Sequence, residues 1–141
     1  MTNGEMARAY LQQAEAIAEE AQGLRQRGVH NLVVRRAQEA VELALKAVLR
    51  AIGVEVPRVH DVGVFLKEHR DKLPPEFRPR VDRWASISRR LRREREVSFY
   101  GDEELGAPPQ RLYTAEDAQS ALSDAHEVLA GCRELLRQLG V

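Results

Sequence analysis

The chain has 141 residues, 43% of them hydrophobic and 31% charged, with 22 basic side chains against 22 acidic ones. That length predicts one domain over residues 1–141, and with aromatics at only 5% its core must be aliphatic and alanine-rich. Zero net charge excludes a global field that would draw nucleic acid or an acidic membrane, and the single cysteine, Cys132, excludes an intramolecular disulfide and makes a reducing compartment the default.

The N-terminal Met1-Thr2-Asn3-Gly4-Glu5 has neither a basic n-region nor an apolar h-region, so it does not read as a signal peptide. No apolar run approaches membrane-spanning length, and the expectation is a soluble cytoplasmic protein with no membrane contact. Tyr10, Leu11, Ala14, Ile17, Ala18, Ala21 and Leu24 recur at helical spacing, which predicts a first helix from about Gly4 to Arg27, stopped by Gly28. A second helix is expected from about Asn31, its candidate cap, to Ile52, with Gly53 ending it. It is apolar around most of its circumference, and Arg35, Glu39, Glu42, Lys46 and Arg50 form one narrow polar stripe, the pattern of a central helix. Arg35–Glu39 and Glu42–Lys46 are expected neighbour pairs along that stripe.

Pro57 interrupts, and Asp61 can cap a short helix carrying Val62, Val64, Phe65 and Leu66. A fourth helix is predicted from about Pro75 to Tyr100, bent near Pro79 and ended by Gly101. Residues 102–111 form a polar loop, in which the acidic Asp102-Glu103-Glu104 offers ligands to a cation but reads more simply as solvated loop. Thr114 looks like the cap of a last helix running to about Leu139, with Glu116 and Asp117 at the favourable end of its dipole. No strand-like alternation occurs. The fold class expected is all-α, an up-and-down four-helix bundle with one additional short helix.

Chemistry-bearing residues are few. His30, His60, His69 and His126 show no metal spacing, Cys132 sits on an apolar helical face, and no glycine-rich phosphate loop occurs, so neither metal nor cofactor is expected. The local charge is nonetheless uneven, since arginines greatly outnumber acids from Arg78 to Arg95. If the fourth helix runs on to Tyr100, Trp84, Ile87 and Leu91 form its apolar stripe and Arg89, Arg90 and Arg93 point away from it. Arg95 follows Leu91 by four residues and falls on the inward face, where a guanidinium needs a carboxylate, a carbonyl or an anion. His60-Asp61 at the turn before the short helix is a second polar pair, either a cap with a surface imidazole or a group that positions a partner or phosphate.

Ala37-Gln38-Glu39-Ala40-Val41-Glu42-Leu43-Ala44-Leu45-Lys46-Ala47 followed by Gly53, then His60-Asp61, Phe65-Leu66, Arg95 and Tyr113, resembles the HEPN family, the higher eukaryotes and prokaryotes nucleotide-binding domain. The resemblance spans nearly the whole chain. It implies a compact helical bundle that commonly forms homodimers, in a family that includes metal-independent endoribonucleases, often toxins of prokaryotic toxin–antitoxin systems, and modules paired with a small nucleotidyltransferase. The family's catalytic signature is an arginine, a polar residue and then a histidine about five residues on. Here Arg95 and Glu96 match its start, and Tyr100 stands in the histidine slot.

Metal-free RNA cleavage needs a proton acceptor and a donor near neutrality, the role of histidine, whereas tyrosine, with a pKa near 10, is a poor base. Tyr100 can instead stack or donate a hydrogen bond, while Arg95, with Arg92 in support, can clamp a phosphate; His60 and Asp61 are outlying candidates for the same site. The resemblance therefore implies a module that binds nucleotide, RNA or a nucleotidyltransferase partner. The alternative is a metal-independent endoribonuclease using Arg95 and Tyr100 in a composite site at a homodimer interface. A third reading is a structural bundle in which Arg95 pairs with Glu42 or Glu39.

Overall fold

A computed structural model describes residues 2–58 and 61–141. Three long helices, α1 (Asn3–Gln26), α2 (His30–Ala51) and the C-terminal α6 (Ala115–Gln138), are completed by α3 (Val62–Glu68), α4 (Val81–Arg93) and the single turn α5 (Val97–Tyr100). Tight 3₁₀ turns occupy Arg70–Lys72, Pro75–Arg80 and Pro109–Arg111. The architecture is an all-α bundle of four principal helices, α1, α2, α4 and α6, with α3 as the short addition, and no strand occurs among the described residues.

Local chemistry sets most of the ends. The Thr2 hydroxyl accepts the Glu5 N–H at 3.1 Å while the Glu5 carboxylate accepts the Thr2 N–H, and Thr114 and Asp117 repeat the arrangement at the start of α6. Gly28 ends the first hairpin arm at φ +74°, a conformation that side chains resist. Asp61 caps α3 by accepting the Gly63 N–H at 2.9 Å. The α2 helix is the central one: it packs against α1, α3, α4, α5 and α6 and buries Val33, Val34, Val41, Leu45, Val48 and Leu49. Its Ala37, Ala40, Ala44 and Ala47, with Ala7, Ala14, Ala18 and Ala21 of α1, are buried and let helices approach closely. Trp84 of α4 lies against Gly131 of α6, where a Cβ would sit 2.4 Å from the indole ring.

Two expectations are corrected. Asn31 does not cap α2, which begins one residue earlier after Val29; Asn31 is buried, and its amide donates to the Ser98 carbonyl at 3.0 Å. The fourth helix is not continuous from Pro75 to Tyr100. Pro79 has no amide hydrogen to give to a helical ladder, so the chain runs as a 3₁₀ turn until α4 starts at Val81. A second break falls at Glu94–Glu96. There the Phe99 N–H turns to the Glu96 carbonyl at 3.1 Å. The Arg95 carbonyl, released from the ladder, accepts from Arg35 Nη1 at 2.6 Å and from the Ser98 hydroxyl at 3.2 Å.

Beyond α5, Gly101 turns at φ +78° and allows Asp102 and Ala107 to exchange both backbone hydrogen bonds. Only glycine fits, because a Cβ there would meet the Ala107 carbonyl oxygen at 2.3 Å. Asp102 shapes this loop by accepting the Leu105 N–H at 3.1 Å, and Glu103 and Glu104 are exposed.

Candidate functional site

The polar stripe of α2 meets the α4–α5 turn, and the contact is made at two levels. The backbone level is rigid. Asn31 holds the Ser98 carbonyl, and Arg35, whose side chain is only 14% exposed, holds the Arg95 carbonyl. Arg35 also lies over the Phe99 ring, its guanidinium carbon 4.8 Å from the centroid, and pairs with Glu39 at 3.8 Å. These contacts place residues 94–99 on α2 without using the Arg95 side chain.

The side-chain level is looser. Arg95 Nη1 reaches Glu42 Oε2 at 3.6 Å and Gln38 Oε1 at 3.4 Å, and its Nε lies 3.9 Å from the exposed Glu96 carboxylate. Arg92 Nη1 reaches the other oxygen of Glu42 at 3.5 Å. One carboxylate is thus shared between two guanidinium groups at long range, and neither pair has the short parallel bonds of a bidentate clamp. Glu42 is 20% exposed while Arg92 and Arg95 are 34% and 40% exposed, so the cations form the solvent side of the cluster. Arg95 is therefore not the buried inward group that a continuous helix would make it, because the break after Arg93 carries it out of the α4 register. It does find the carboxylate that its position demanded.

The arrangement removes one expected neighbour pair as well. Glu42 is engaged by Arg92 and Arg95, and among the described residues Lys46 makes no ion pair, so the expected Glu42–Lys46 contact does not form. Arg36, by contrast, pairs with Glu39 at 2.6 Å and with Glu20 at 3.1 Å. The hydrogen bond to Glu39 raises the Arg36 pKa further.

Tyr100 stands at the surface, 57% exposed, with its ring edge-on to Phe99 at a centroid distance of 4.9 Å. Arg35, Phe99 and Tyr100 thus form a stack leading outward from α2. Phe99, Val97 and Leu105 are also exposed apolar groups around the same end of the bundle. Asp61 is committed elsewhere: besides capping α3 it lies 3.5 Å from Arg89, which fixes α3 to α4 about one turn before Arg92. Being an anion, it would repel a phosphate rather than hold one. His60 lies outside the described residues. His126 is exposed on α6 in a groove shared with Glu15 and Glu19 of α1, and His69 Nδ1 is 2.9 Å from the Phe65 carbonyl. Among the described residues no three His, Cys, Asp or Glu side chains group as a metal site requires.

On the other side of the α4–α5 turn lies a cleft of about 640 Å³, lined by Arg90, Arg93, Glu94, Tyr113, Asp117 and Asp124 over an apolar floor that includes Val34 and Leu91. The Tyr113 hydroxyl donates to Glu94 at 2.8 Å, and burial together with that carboxylate pushes its pKa well above the usual tyrosine value. Arg90 is 3.4 Å from Asp124, which Arg83 also contacts. Cys132 is wholly buried, with its thiol pKa pushed up by burial, and serves packing. Arg35, Gln38 and Phe99 are the members of the Arg95 cluster that spacing does not single out. Arg35 does lie on the polar stripe of α2 and Gln38 in the stretch that carries the family resemblance, but neither position signals a contact with the α4–α5 turn.

The HEPN domain family model matches residues 7–135. Among solved structures, the crystal structure of TT1696 from Thermus thermophilus is similar, with a TM-score of 0.74 and 28% sequence identity. The match covers 91% of this chain and 96% of that one. No curated protein matches. No helix among the described residues is long and apolar enough to cross a membrane.

Proposed function

Because the chain belongs to the HEPN domain family, we propose that it is a binding module for nucleotide or RNA, of the kind found in toxin–antitoxin pairs. In this reading Arg95 and Arg92 hold a phosphate and Tyr100 stacks on a base. It acts as a homodimer or with a small nucleotidyltransferase as partner, and it does not cut RNA. The observation that carries this reading is the shared carboxylate: Arg92 and Arg95 divide Glu42 at 3.5 and 3.6 Å, so neither closes on it as a clamp and the half-exposed Arg95 guanidinium keeps donors for a second anion. The fixed backbone beneath them supports it, because Arg35 and Asn31 anchor the turn and a ligand need not order it. Tyr100 offers an exposed ring for stacking close by along the same segment. Asp61 contributes through position, holding α3 on α4 through Arg89, and His60 is an outlying candidate for the phosphate.

The endoribonuclease alternative lacks the histidine of the family's signature, since none lies between Arg95 and His126 and the tyrosine in that slot is a poor base near neutrality. The test is binding of a labelled single-stranded RNA and of a mononucleotide, across a series of salt concentrations, to the parent chain and to Arg95→Ala. The module reading expects salt-dependent affinity that falls about tenfold in the variant, the loss of one charge-assisted phosphate contact. Unchanged affinity removes Arg95 from the site, and cleavage of the RNA in EDTA that is lost with Arg95→Ala replaces the module by the nuclease.

A further inference from the structure

A second cationic site lies away from the Arg95 cluster, where the C-terminal half of α2 meets α1 and the α2–α3 loop. A pocket of about 300 Å³ is lined by Tyr10, Lys46, Arg50, Val54, Glu55, Val56 and Arg58. Three cations face one carboxylate, and that carboxylate is poorly placed to neutralise them. Glu55 is 83% exposed and, among the described residues, pairs with Arg50 alone, at 3.4 Å. Lys46 has no ion pair among the described residues, because Glu42, its natural neighbour one turn back, is engaged by Arg92 and Arg95. Among the described residues, Arg50 Nε is a buried donor with no hydrogen-bond partner. Buried donors are rarely left so, and an orphan of this kind beside surplus positive charge asks for an acceptor.

We infer that this pocket binds the tetrahedral dianion of a phosphate group, on Lys46, Arg50 and Arg58, with the Tyr10 hydroxyl as a neutral donor. Charge and shape both select that ligand. Two surplus positive charges match a dianion better than a single carboxylate, and a phosphate supplies acceptor oxygens for an arginine fork and an ammonium at once. The pocket is compact and its apolar wall is limited to Val54 and Val56, so it suits a small anion or the end of a larger molecule rather than a base. The phosphate can be free inorganic phosphate or the terminal monoester of a nucleotide.

The full chain is titrated with inorganic phosphate, adenosine 5′-monophosphate and adenosine, in low-salt buffer, by calorimetry and by amide chemical-shift mapping. Saturable phosphate binding is expected, with shifts at Tyr10, Lys46 and Val54 to Arg58. Lys46→Ala and the loop variant Arg58→Ala should each weaken it about tenfold. Arg95→Ala should leave it within about twofold, which separates this site from the one proposed above. Tighter binding of the monophosphate than of phosphate assigns the site to a phosphate ester, and equal binding assigns it to free phosphate. The inference is overturned if phosphate gives no saturable shifts there, if adenosine binds as well as its monophosphate, or if both pocket variants titrate like the parent.

Discussion

Arg35 and Arg95 sit one above the other at the α2 contact, and the structure ranks them oppositely to what a continuous fourth helix implies. Arg95→Ala removes a side chain 40% exposed, whose ion pairs are 3.6 and 3.9 Å long and whose hydrogen bond to Gln38 is 3.4 Å. Each such pair is worth at most about 1 kcal/mol, water can replace the lost partners, and the backbone anchors of the turn survive. The expected cost is about 1 kcal/mol, or about 4 °C in melting temperature for a domain of this size. Arg35→Ala removes a side chain 14% exposed, with a 2.6 Å bond to the Arg95 carbonyl and a guanidinium over Phe99. A charged donor lost from a backbone acceptor costs about 2 kcal/mol and the ring contact about 1, so about 3 kcal/mol is expected. Urea unfolding of both variants, monitored by helical circular dichroism, measures the two values. An Arg95→Ala loss as large as that of Arg35→Ala would refute this reasoning, because it would mean that Arg95 is the buried strut and its donors are spent on the fold.

Gly131→Ala gains about 1 kcal/mol of helix propensity but drives a methyl to 2.4 Å from the buried Trp84 ring; a net loss of about 2 kcal/mol and a shifted tryptophan emission are expected. Thr114→Ala deletes the cap of α6 and should cost about 1 kcal/mol in the same unfolding assay. Tyr113→Phe should cost about 1–2 kcal/mol at neutral pH through the bond to Glu94. Because the folded Tyr113 pKa is raised, its stabilisation is complete below the unfolded value near 10 and is lost as pH rises beyond it. The gap between parent and Tyr113→Phe should therefore narrow above about pH 10, and a gap that widens there would contradict the assigned hydrogen bond.

What the sequence makes legible is what depends on neighbours. Gly28, Asp61 and Thr114 mark helix ends because their effects act within a turn or two, and the apolar circumference of α2 marks the central helix because burial follows spacing. The break before α5 is not legible in this way. It depends on Arg35 capturing a carbonyl 60 residues downstream, and Asn31 is drawn from its capping role by a carbonyl 67 residues away. Spacing also pairs Glu42 with Lys46 as near neighbours, but cannot weigh that pair against two arginines delivered from another helix. The same competition that fills the Arg95 cluster leaves Lys46 to the pocket near Arg58. Arg95 and Tyr100 stand out in the sequence through the resemblance and the charge pattern, whereas Gln38 and Phe99 join the site only through packing.

Arg92 and Arg95 share Glu42 only loosely and so keep donors for a phosphate-bearing ligand, with Glu42 as its competitor for them. Equilibrium binding of one single-stranded RNA to Glu42→Gln, beside Arg95→Ala and the parent, tests this competition most directly. Opposite signs are expected: several-fold tighter binding when the competing carboxylate becomes a neutral amide, and about tenfold weaker binding when Arg95 is removed. Weaker or unaltered binding by Glu42→Gln, in a variant that retains the parent's helical spectrum, would contradict it.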